Sequence, residues 1–382
     1  MKQLSTLGWN PTDGGVINNE RGIALLVTLS IMAIILASTF ALHRTVFSHR
    51  VAEQITRDNT QLDAMLTSAQ QAAMALLIDD KKKTKIDSLQ EAWADPETIA
   101  ETINTLTFKT GRLNYIIEDE LSRIQINALV QYPKGQQFNQ RQALLWMRFL
   151  AGFKSDETLF ADLEPITIIN SLKDWLDFGD DDAITGLTGA ESDYYQSLEP
   201  PYTCRNGPIQ HISELALIRG MSPALFAGME NQLGLSRYLT NHGLFAKGSR
   251  FTYTGKINLN TAPEPVIKAL LPEELANVAK AIVDYRDEKA DGQFVNNISQ
   301  PVWYKKVPGA GDVKIHRSLI TSTSDLFRIR AAAKINAHQK GVMMIVRREK
   351  VSDSDSWFCQ VIRRENDPAA IALLQQGNTT DE

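Results

Sequence analysis

The chain has 382 residues, of which 43% are hydrophobic and 22% charged, so it is long enough for more than one domain and for a substantial core. Its formal net charge of -5 provides no global basic field, which argues against nucleic acid as a default partner. Cys204 and Cys359 are the only cysteines, and no Cys/His cluster accompanies them, which argues against zinc and thioredoxin-like chemistry. Outside the cytoplasm these two could form a disulfide, or both could remain free.

A long apolar segment lies near the start of the chain. Residues 23–42 contain no charge, proline or glycine, and as a helix they would reach about 30 Å, the thickness of a bilayer's hydrocarbon core. The run is longer than the apolar part of a signal peptide, and it is followed by His43 and Arg44 rather than by a small-residue cleavage site. The segment therefore predicts a membrane-spanning helix.

The helix is predicted to continue well beyond the membrane. No glycine occurs between Ile23 and Thr110, and Pro96 is the only proline in that range. Apolar residues recur there at spacings of three, four and seven, which predicts an apolar stripe on one face of a helix. The stripe consists of Val51, Ile55, Leu62, Leu66, Ala69, Ala73 and Leu76.

A charged leader ending in Arg21-Gly22, followed by such a helix, resembles the type IV pilins and pseudopilins. That resemblance implies cleavage by a prepilin peptidase between Gly22 and Ile23, and methylation of the new Ile23 amine. Major subunits of the class usually carry glutamate at the fifth mature position, where this chain has Val27. An uncompensated charge in an apolar filament core costs several kcal/mol, and valine cannot neutralise a neighbouring subunit's amine. Such a subunit fits best at a filament end.

The remainder of the chain predicts an α+β fold. Residues 107–130 begin with alternating apolar positions around Gly111, as in a hairpin, and continue into a strand-to-helix turn at "SRIQINAL". Helical patterns follow in the middle of the chain. The segments "SDLFRIRAAAKI", "GVMMIVRREK" and "SWFCQVIRRE" are separated by turn residues, which predicts an antiparallel meander near the C-terminus.

An acidic segment, "DWLDFGDDDAITGLTGAESDYY", is the first candidate site. Its carboxylates belong to Asp174, Asp177, Asp180, Asp181, Asp182, Glu191 and Asp193. Such a cluster is either spread into water or gathered around a cation such as calcium, which takes six to eight oxygen ligands. From the residues alone both interpretations stay open. A catalytic role is a weaker third option, because no histidine or nucleophile motif lies beside the cluster. No hydrolase or nucleotide-binding motif occurs elsewhere in the chain, so no enzyme is predicted.

A second candidate lies at residues 255–294, where "NLNTA", "AIVDYR" and "GQF" resemble a helix-hairpin-helix DNA-binding unit. In such units the backbone amides of a glycine hairpin hold a phosphate. Here the equivalent position contains Pro272, Glu273 and Glu274, which would repel phosphate and remove a donor. Because of these residues, no nucleic-acid partner is predicted. The resemblance keeps a membrane-tethered DNA-binding or uptake protein as the alternative hypothesis.

Several segments taken together resemble the K-type minor pseudopilins of type II secretion systems. They are "RGIALLV", "SRIQINALV", "LKDWLDFGDDD", "GAESDYYQSLEPPY", "NGPIQHISELALIRGM" and "KINLNTAPEPVIKALL". The resemblance implies a long N-terminal helix packed on a C-terminal antiparallel sheet, with a large helical domain inserted. The expected divisions are a leader (1–22), a transmembrane part (23–42), an amphipathic helix with the first part of the pseudopilin body (43–120), the inserted domain (121–295), the β-rich body (296–366) and a disordered tail (367–382).

The same resemblance implies a function. The subunit would lie in the bacterial inner membrane with its bulk in the periplasm, and would cap and initiate the pseudopilus that supports export of folded proteins across the outer membrane. Expected partners are the I-type and J-type minor pseudopilins, the major pseudopilin, the prepilin peptidase and the inner-membrane secretion platform. Loss of the fifth-position glutamate is a trait of the family.

Calcium in the inserted domain is also a family property, and the resemblance therefore favours a structural calcium site in the acidic segment. The ligands it implies are Asp177, Asp180, Asp182, Glu191 and Asp193.

Overall fold

The computed structural model describes residues 20–154, 160, 162–179, 184–229, 232–248, 250–352 and 354–376. Its α-helices are α1 Glu20–Lys83, α2 Pro96–Thr105, α3 Gln140–Lys154, α4 Pro165–Leu176, α5 Ser192–Gln196, α6 Pro223–Ala227, α7 Glu264–Leu270, α8 Val278–Asp287 and α9 Leu373–Gln376. Short 3₁₀ helices include Glu120–Ser122, Ile126–Leu129, Ile212–Leu217, Leu235–Tyr238, Glu273–Leu275, Trp303–Lys306 and Pro368–Ala372.

The strands are mostly short. They are β1 Arg112–Asp119, β2 Ile124–Gln125, β3 Gly228–Met229, β4 Gln232–Leu233, β5 Leu239–Thr240, β6 Leu244–Lys247, β7 Arg250–Tyr253, β8 Ile257–Asn258, β9 Lys289–Ala290, β10 Gln293–Phe294, β11 Ile320–Thr321, β12 Leu326–Ile335, β13 His338–Lys350 and β14 Trp357–Asn366. Strands β1, β12, β13 and β14 form one antiparallel sheet in that order.

The chain divides into two compact units, residues 1–61 and 62–382. Among the described residues, helix α1 is the one that is long and apolar enough to cross a membrane. In its apolar part the hydroxyl groups of Thr28, Ser30 and Thr39 donate to carbonyl oxygens one turn earlier. Hydroxyls satisfied within the helix are compatible with a lipid environment.

The second unit contains the predicted pseudopilin-like body. From Leu62 onward, one face of α1 is buried against the inner face of the four-stranded sheet. The predicted stripe is confirmed at Leu62, Leu66, Ala69 and Ala73, which are fully buried, whereas Leu76 is half-buried and Val51 and Ile55 are exposed. Alternating residues of the strands, such as Tyr115 on β1, complete this core because side chains alternate between the two faces of a sheet. The predicted α+β fold is therefore confirmed.

The C-terminal meander β12–β13–β14 is as predicted, but the hairpin expected around Gly111 is wrong. Strand β1 pairs with β12, so that Arg112 lies opposite Lys334, far along the chain. Gly111 has a φ of +107°, and a Cβ atom there would lie 2.8 Å from the carbonyl oxygen of Lys334. Glycine is needed for this close approach rather than for a hairpin turn.

The inserted part of the chain has its own core. This core extends from Ile124 through Trp146, Leu172 and Ile267 to Leu319. It begins near the predicted boundary at residue 121 but continues past the predicted end at residue 295. Segment 298–319 therefore packs with the inserted helices rather than with the sheet.

The predicted disordered tail is ordered in its first part. Residues 368–376 form a 3₁₀ helix followed by α9, and Ala370 and Leu373 are buried with Ala332 on the outer face of the sheet. Asn114 donates to the Leu373 carbonyl oxygen at 2.9 Å, which attaches the segment to β1. Residues 377–382 lie outside the described part of the chain.

Candidate functional sites

Three buried carboxylates meet where α4 ends. Asp174 lies in the last turn of α4, Asp177 follows the helix, and Glu191 directly precedes α5. One carboxylate oxygen from each can be chosen so that the three lie within 4.8 Å of one another. The structure thus brings together Asp177 and Glu191 of the predicted ligand set. Asp193 is exposed and outside this group, and Asp180 and Asp182 lie outside the described residues.

Asp174 was not among the predicted ligands, although it belongs to the acidic segment. Its spacing of three residues from Asp177 places both on one side of a helix, and this spacing was the signal that could have identified it. The Asp174 carboxylate accepts hydrogen bonds from the backbone amides of Thr185, at 3.0 Å, and Ala190, at 2.9 Å. Burial raises the pKa of Asp174, and the hydrogen bonds from Thr185 partly oppose this effect. Asp174 therefore fixes the loop that returns to Glu191.

Close packing around Asp174 depends on Gly189. A Cβ atom at that position would lie 2.1 Å from Oδ2 of Asp174 and 2.7 Å from the backbone nitrogen of Thr185. The loop can approach the carboxylate only because this residue has no side chain.

We call the three residues Asp174, Asp177 and Glu191 the acidic cluster. A lysine side chain contacts this cluster. The Nζ atom of Lys173 lies 2.5 Å from Oδ2 of Asp177 and 3.9 Å from Oδ1 of Asp174. The carboxylate oxygens of the three residues are hard donors. This donor set fits calcium better than a transition metal, which would favour histidine or thiolate ligands.

A second carboxylate group, Asp80, Asp87 and Glu91, has a different character. The guanidinium of Arg348 on β13 lies within it, where it contacts Asp87 and donates to the Leu77 carbonyl oxygen at 2.8 Å. Both Arg348 and Asp87 are fully buried. Burial raises the pKa of Asp80 to about 7, with the neighbouring carboxylates adding to the shift. Arg348 contacts both Asp80 and Asp87, and Nζ of Lys81 lies 3.2 Å from Oδ2 of Asp87, so this group is an ion-pair network with two cationic side chains.

The "NLNTA" segment lies beside this network, at the contact between the inserted core and the sheet-containing body. The Nδ2 atom of Asn258 donates to the carbonyl oxygen of Asp87 at 2.9 Å and to Oδ2 of Asp119 at 2.7 Å. The Thr261 hydroxyl donates to the same Asp119 oxygen at 2.7 Å. Burial raises the pKa of Asp119 to about 6. We call this set (Asp87, Asp119, Asn258 and Thr261) the joint.

The asparagines of this motif have structural partners inside the fold. Asn258 and Asn260 are fully buried, and Asn258 contributes to the joint. Trp303 donates to Asn260 at 2.7 Å, which also ties segment 298–319 to the motif. The connection between α7 and α8 has a 3₁₀ helix at Glu273–Leu275 where a DNA-binding hairpin would have glycine.

Cys204 and Cys359 are both free in the structure, and they lie in different cores. Cys204 lies close to α4, with its Sγ 3.6 Å from the carbonyl oxygen of Asp174, whereas Sγ of Cys359 lies 3.9 Å from that of Met74 on α1. The structure therefore does not join them, and the disulfide alternative is not supported. Burial raises the pKa of Cys204 to about 12 and that of Cys359 to about 11.

Comparison with known proteins gives a consistent result. The family model described as "Type II secretion system (T2SS), protein K" matches residues 122–233. The type II secretion system protein K of Klebsiella pneumoniae is 30% identical over 299 residues, which cover 75% of this chain and 82% of the Klebsiella protein. The chain belongs to the type II secretion system protein K family.

Two further protein K comparisons agree. The protein of Aeromonas hydrophila is 27% identical over 214 residues, 54% of this chain and 61% of that protein. A chain of the crystal structure of the GspK-GspI-GspJ complex from enterotoxigenic Escherichia coli has a TM-score of 0.56 and 17% identity, with 82% of this chain and 99% of that chain covered. At this identity the solved structure supports the fold.

The predicted processing residues lie on the first turns of α1. Gly22 and Ile23 are both helical, and the Val27 side chain is half-exposed on the apolar part of the helix. The leader before residue 20 lies outside the described residues. The position where the sequence comparison with pilins expects glutamate thus carries an exposed apolar side chain on α1.

Proposed function

We propose that this protein K subunit forms and initiates the tip of the pseudopilus. The observation that carries the proposal is Val27. A subunit without a carboxylate at this position cannot neutralise the terminal amine of the next subunit, and an unpaired charge in an apolar filament interior is costly. Addition of further subunits beyond this one is therefore unfavourable.

The inserted domain supports the same position. Its core, from Ile124 to Leu319, belongs to a subunit whose filament stem is the single helix α1. Every neighbour in a shaft would have to accommodate this domain, whereas at the tip it extends into free space. The tip position thus satisfies both the charge and the packing requirement.

Maturation and location follow from α1. The prepilin peptidase cleaves between Gly22 and Ile23 and methylates the Ile23 amine, and the apolar segment holds the subunit in the inner membrane until assembly. The bulk of the chain then lies in the periplasm. Intact-mass analysis of the protein from its native host should give a chain that starts at methylated Ile23; a chain retaining Met1 would contradict this step.

The proposed partners are the I-type and J-type minor pseudopilins, together with the major pseudopilin and the inner-membrane secretion platform. The solved complex named GspK-GspI-GspJ motivates the first two. The subunit supports export of folded proteins across the outer membrane through its place in the filament, without catalysis of its own. Co-purification of the detergent-solubilised chain with the I-type and J-type subunits tests the assembly. Recovery of the chain alone from cells producing all three would contradict it.

We also propose that the acidic cluster holds a structural calcium ion. Asp174, Asp177 and Glu191 would supply oxygen ligands, and calcium would offset most of their charge and connect the end of α4 to the start of α5. Addition of calcium should then raise the melting temperature of the chain relative to EGTA. An equal melting temperature in both conditions would contradict the site.

A further inference from the structure

The positively charged side chain of Lys173 contacts the acidic cluster that is proposed to bind calcium. Its side chain is largely buried, and its Nζ atom lies 2.5 Å from Asp177 and 3.9 Å from Asp174. We propose that Lys173 is an internal counter-ion that competes with calcium for Asp177 and thereby sets the calcium affinity of the cluster. This inference rests on the proposed calcium site.

The competition follows from charge and distance. Carboxylates whose oxygens approach within 4.8 Å repel one another strongly when buried, so they require positive charge nearby. The lysine ammonium supplies that charge in the cation-free protein. Lys173 contacts Oδ2 of Asp177, and a calcium ion on the same carboxylate would lie a few ångströms from the ammonium, where the two positive charges repel in a poorly screened site. Calcium binding therefore favours movement of Lys173 away from Asp177.

The two aspartates differ in how readily they can change partners. Asp174 is held by the backbone amides of Thr185 and Ala190, which keep its carboxylate in place whether or not a cation is present. The ion pair of Asp177 with Lys173 instead involves a long, flexible side chain that can move toward solvent. Asp174 is thus the fixed ligand, whereas Asp177 exchanges Lys173 for calcium as its partner.

Calorimetric titration with calcium chloride of the full chain in detergent tests the proposal. Lys173→Met keeps the length and the apolar stem but removes the charge, and it should bind calcium at least about tenfold more tightly than the unsubstituted chain. Lys154→Met is the matched control, because Lys154 forms an exposed ion pair with Glu164 at 3.0 Å. The control should leave the calcium affinity within about twofold. Equal affinity of Lys173→Met and the unsubstituted chain would overturn the proposal.

Thermal unfolding gives a second prediction. In EGTA, Lys173→Met should melt at a lower temperature than the unsubstituted chain, because the cluster has lost its counter-ion. In saturating calcium this difference should shrink. A difference of the same size in both conditions would mean that Lys173 only stabilises the fold, and it would count against competition.

A labelling experiment on the unsubstituted chain keeps the test independent of whether the variant folds. Acetic anhydride at trace concentration, followed by peptide mass spectrometry, reports the reactivity of each lysine amine. Calcium should increase acetylation of Lys173 severalfold relative to EGTA and leave Lys154 unchanged. Unchanged labelling of Lys173 under conditions where calcium binds would refute the inference but preserve the calcium site. Absence of any calcium binding to the unsubstituted chain would refute the calcium site and the inference together.

Discussion

Asn258 in the joint offers a direct test of how the inserted domain is attached to the body. Substitution of Asn258 by leucine keeps the approximate size of the side chain but removes both of its donors. It also removes Oδ1, which accepts the backbone amide of Asn260 at 3.1 Å. The side chain is fully buried, so water cannot replace the lost partners.

The expected loss can be worked out from these contacts. The bond to Asp119 involves a carboxylate and is worth about 1.5 to 3 kcal/mol, and each neutral bond is worth about 1 kcal/mol. Thr261 continues to donate to Asp119, which limits the cost of leaving that carboxylate with one donor fewer. The free energy of unfolding should therefore fall by about 3 to 5 kcal/mol.

Urea unfolding of the detergent-solubilised chain, followed by tryptophan fluorescence, measures this loss. Trp93 lies in the body core, whereas Trp146 and Trp175 lie in the inserted core, so single-tryptophan variants report each core separately. Asn104→Leu on the exposed surface of α2 is the control and should change the free energy by less than about 0.5 kcal/mol. If Asn258→Leu costs no more than this control, the joint does not hold the two cores together.

Three further predictions concern single residues. Because the pKa of Asp80 is raised to about 7, its folded form binds the proton more tightly than its unfolded form, so it lowers stability progressively as pH rises from about 4 to 7. Between pH 4.5 and 7.5 the unfolding free energy of Asp80→Asn should fall less than that of the unsubstituted chain, by up to about 3 kcal/mol in urea titrations, and an identical pH slope would contradict the assignment. Gly189→Ala should destabilise the chain by about 1 to 3 kcal/mol, because its Cβ has no space beside Asp174, whereas Gly152→Ala in helix α3, where a Cβ meets nothing within 4 Å, should be neutral or stabilising. Thiol titration of denatured, unreduced protein should find two free thiols per chain; none would indicate the disulfide that the structure does not contain.

The sequence predicted those parts of the fold that depend on local periodicity. The apolar run and the stripe at Leu62, Leu66 and Ala69 identify α1, because helical spacing is visible within a short window. The meander β12–β14 was predicted because its β-rich segments are separated by turn residues, which is also a local pattern. Strand β1 was misassigned as a hairpin because its partner, β12, is remote in the chain, and no local pattern encodes that pairing.

In the candidate sites too, the sequence did not show which remote residues come together. The acidic segment indicated carboxylates, but only the fold shows that the end of α4 and the start of α5 bring Asp174, Asp177 and Glu191 together. The "NLNTA" motif resembled a nucleic-acid element, whereas its asparagines satisfy buried groups at the joint. Its role depends on Asp87 and Asp119, which lie more than a hundred residues earlier in the chain.

The proposed position of this subunit at the end of the filament can be tested directly. Pseudopili assembled in the native host with excess major pseudopilin can be labelled with gold-conjugated antibodies against the inserted domain and viewed by electron microscopy. The account predicts label at one end of each filament and none along the shaft. Label distributed along the shaft would contradict it.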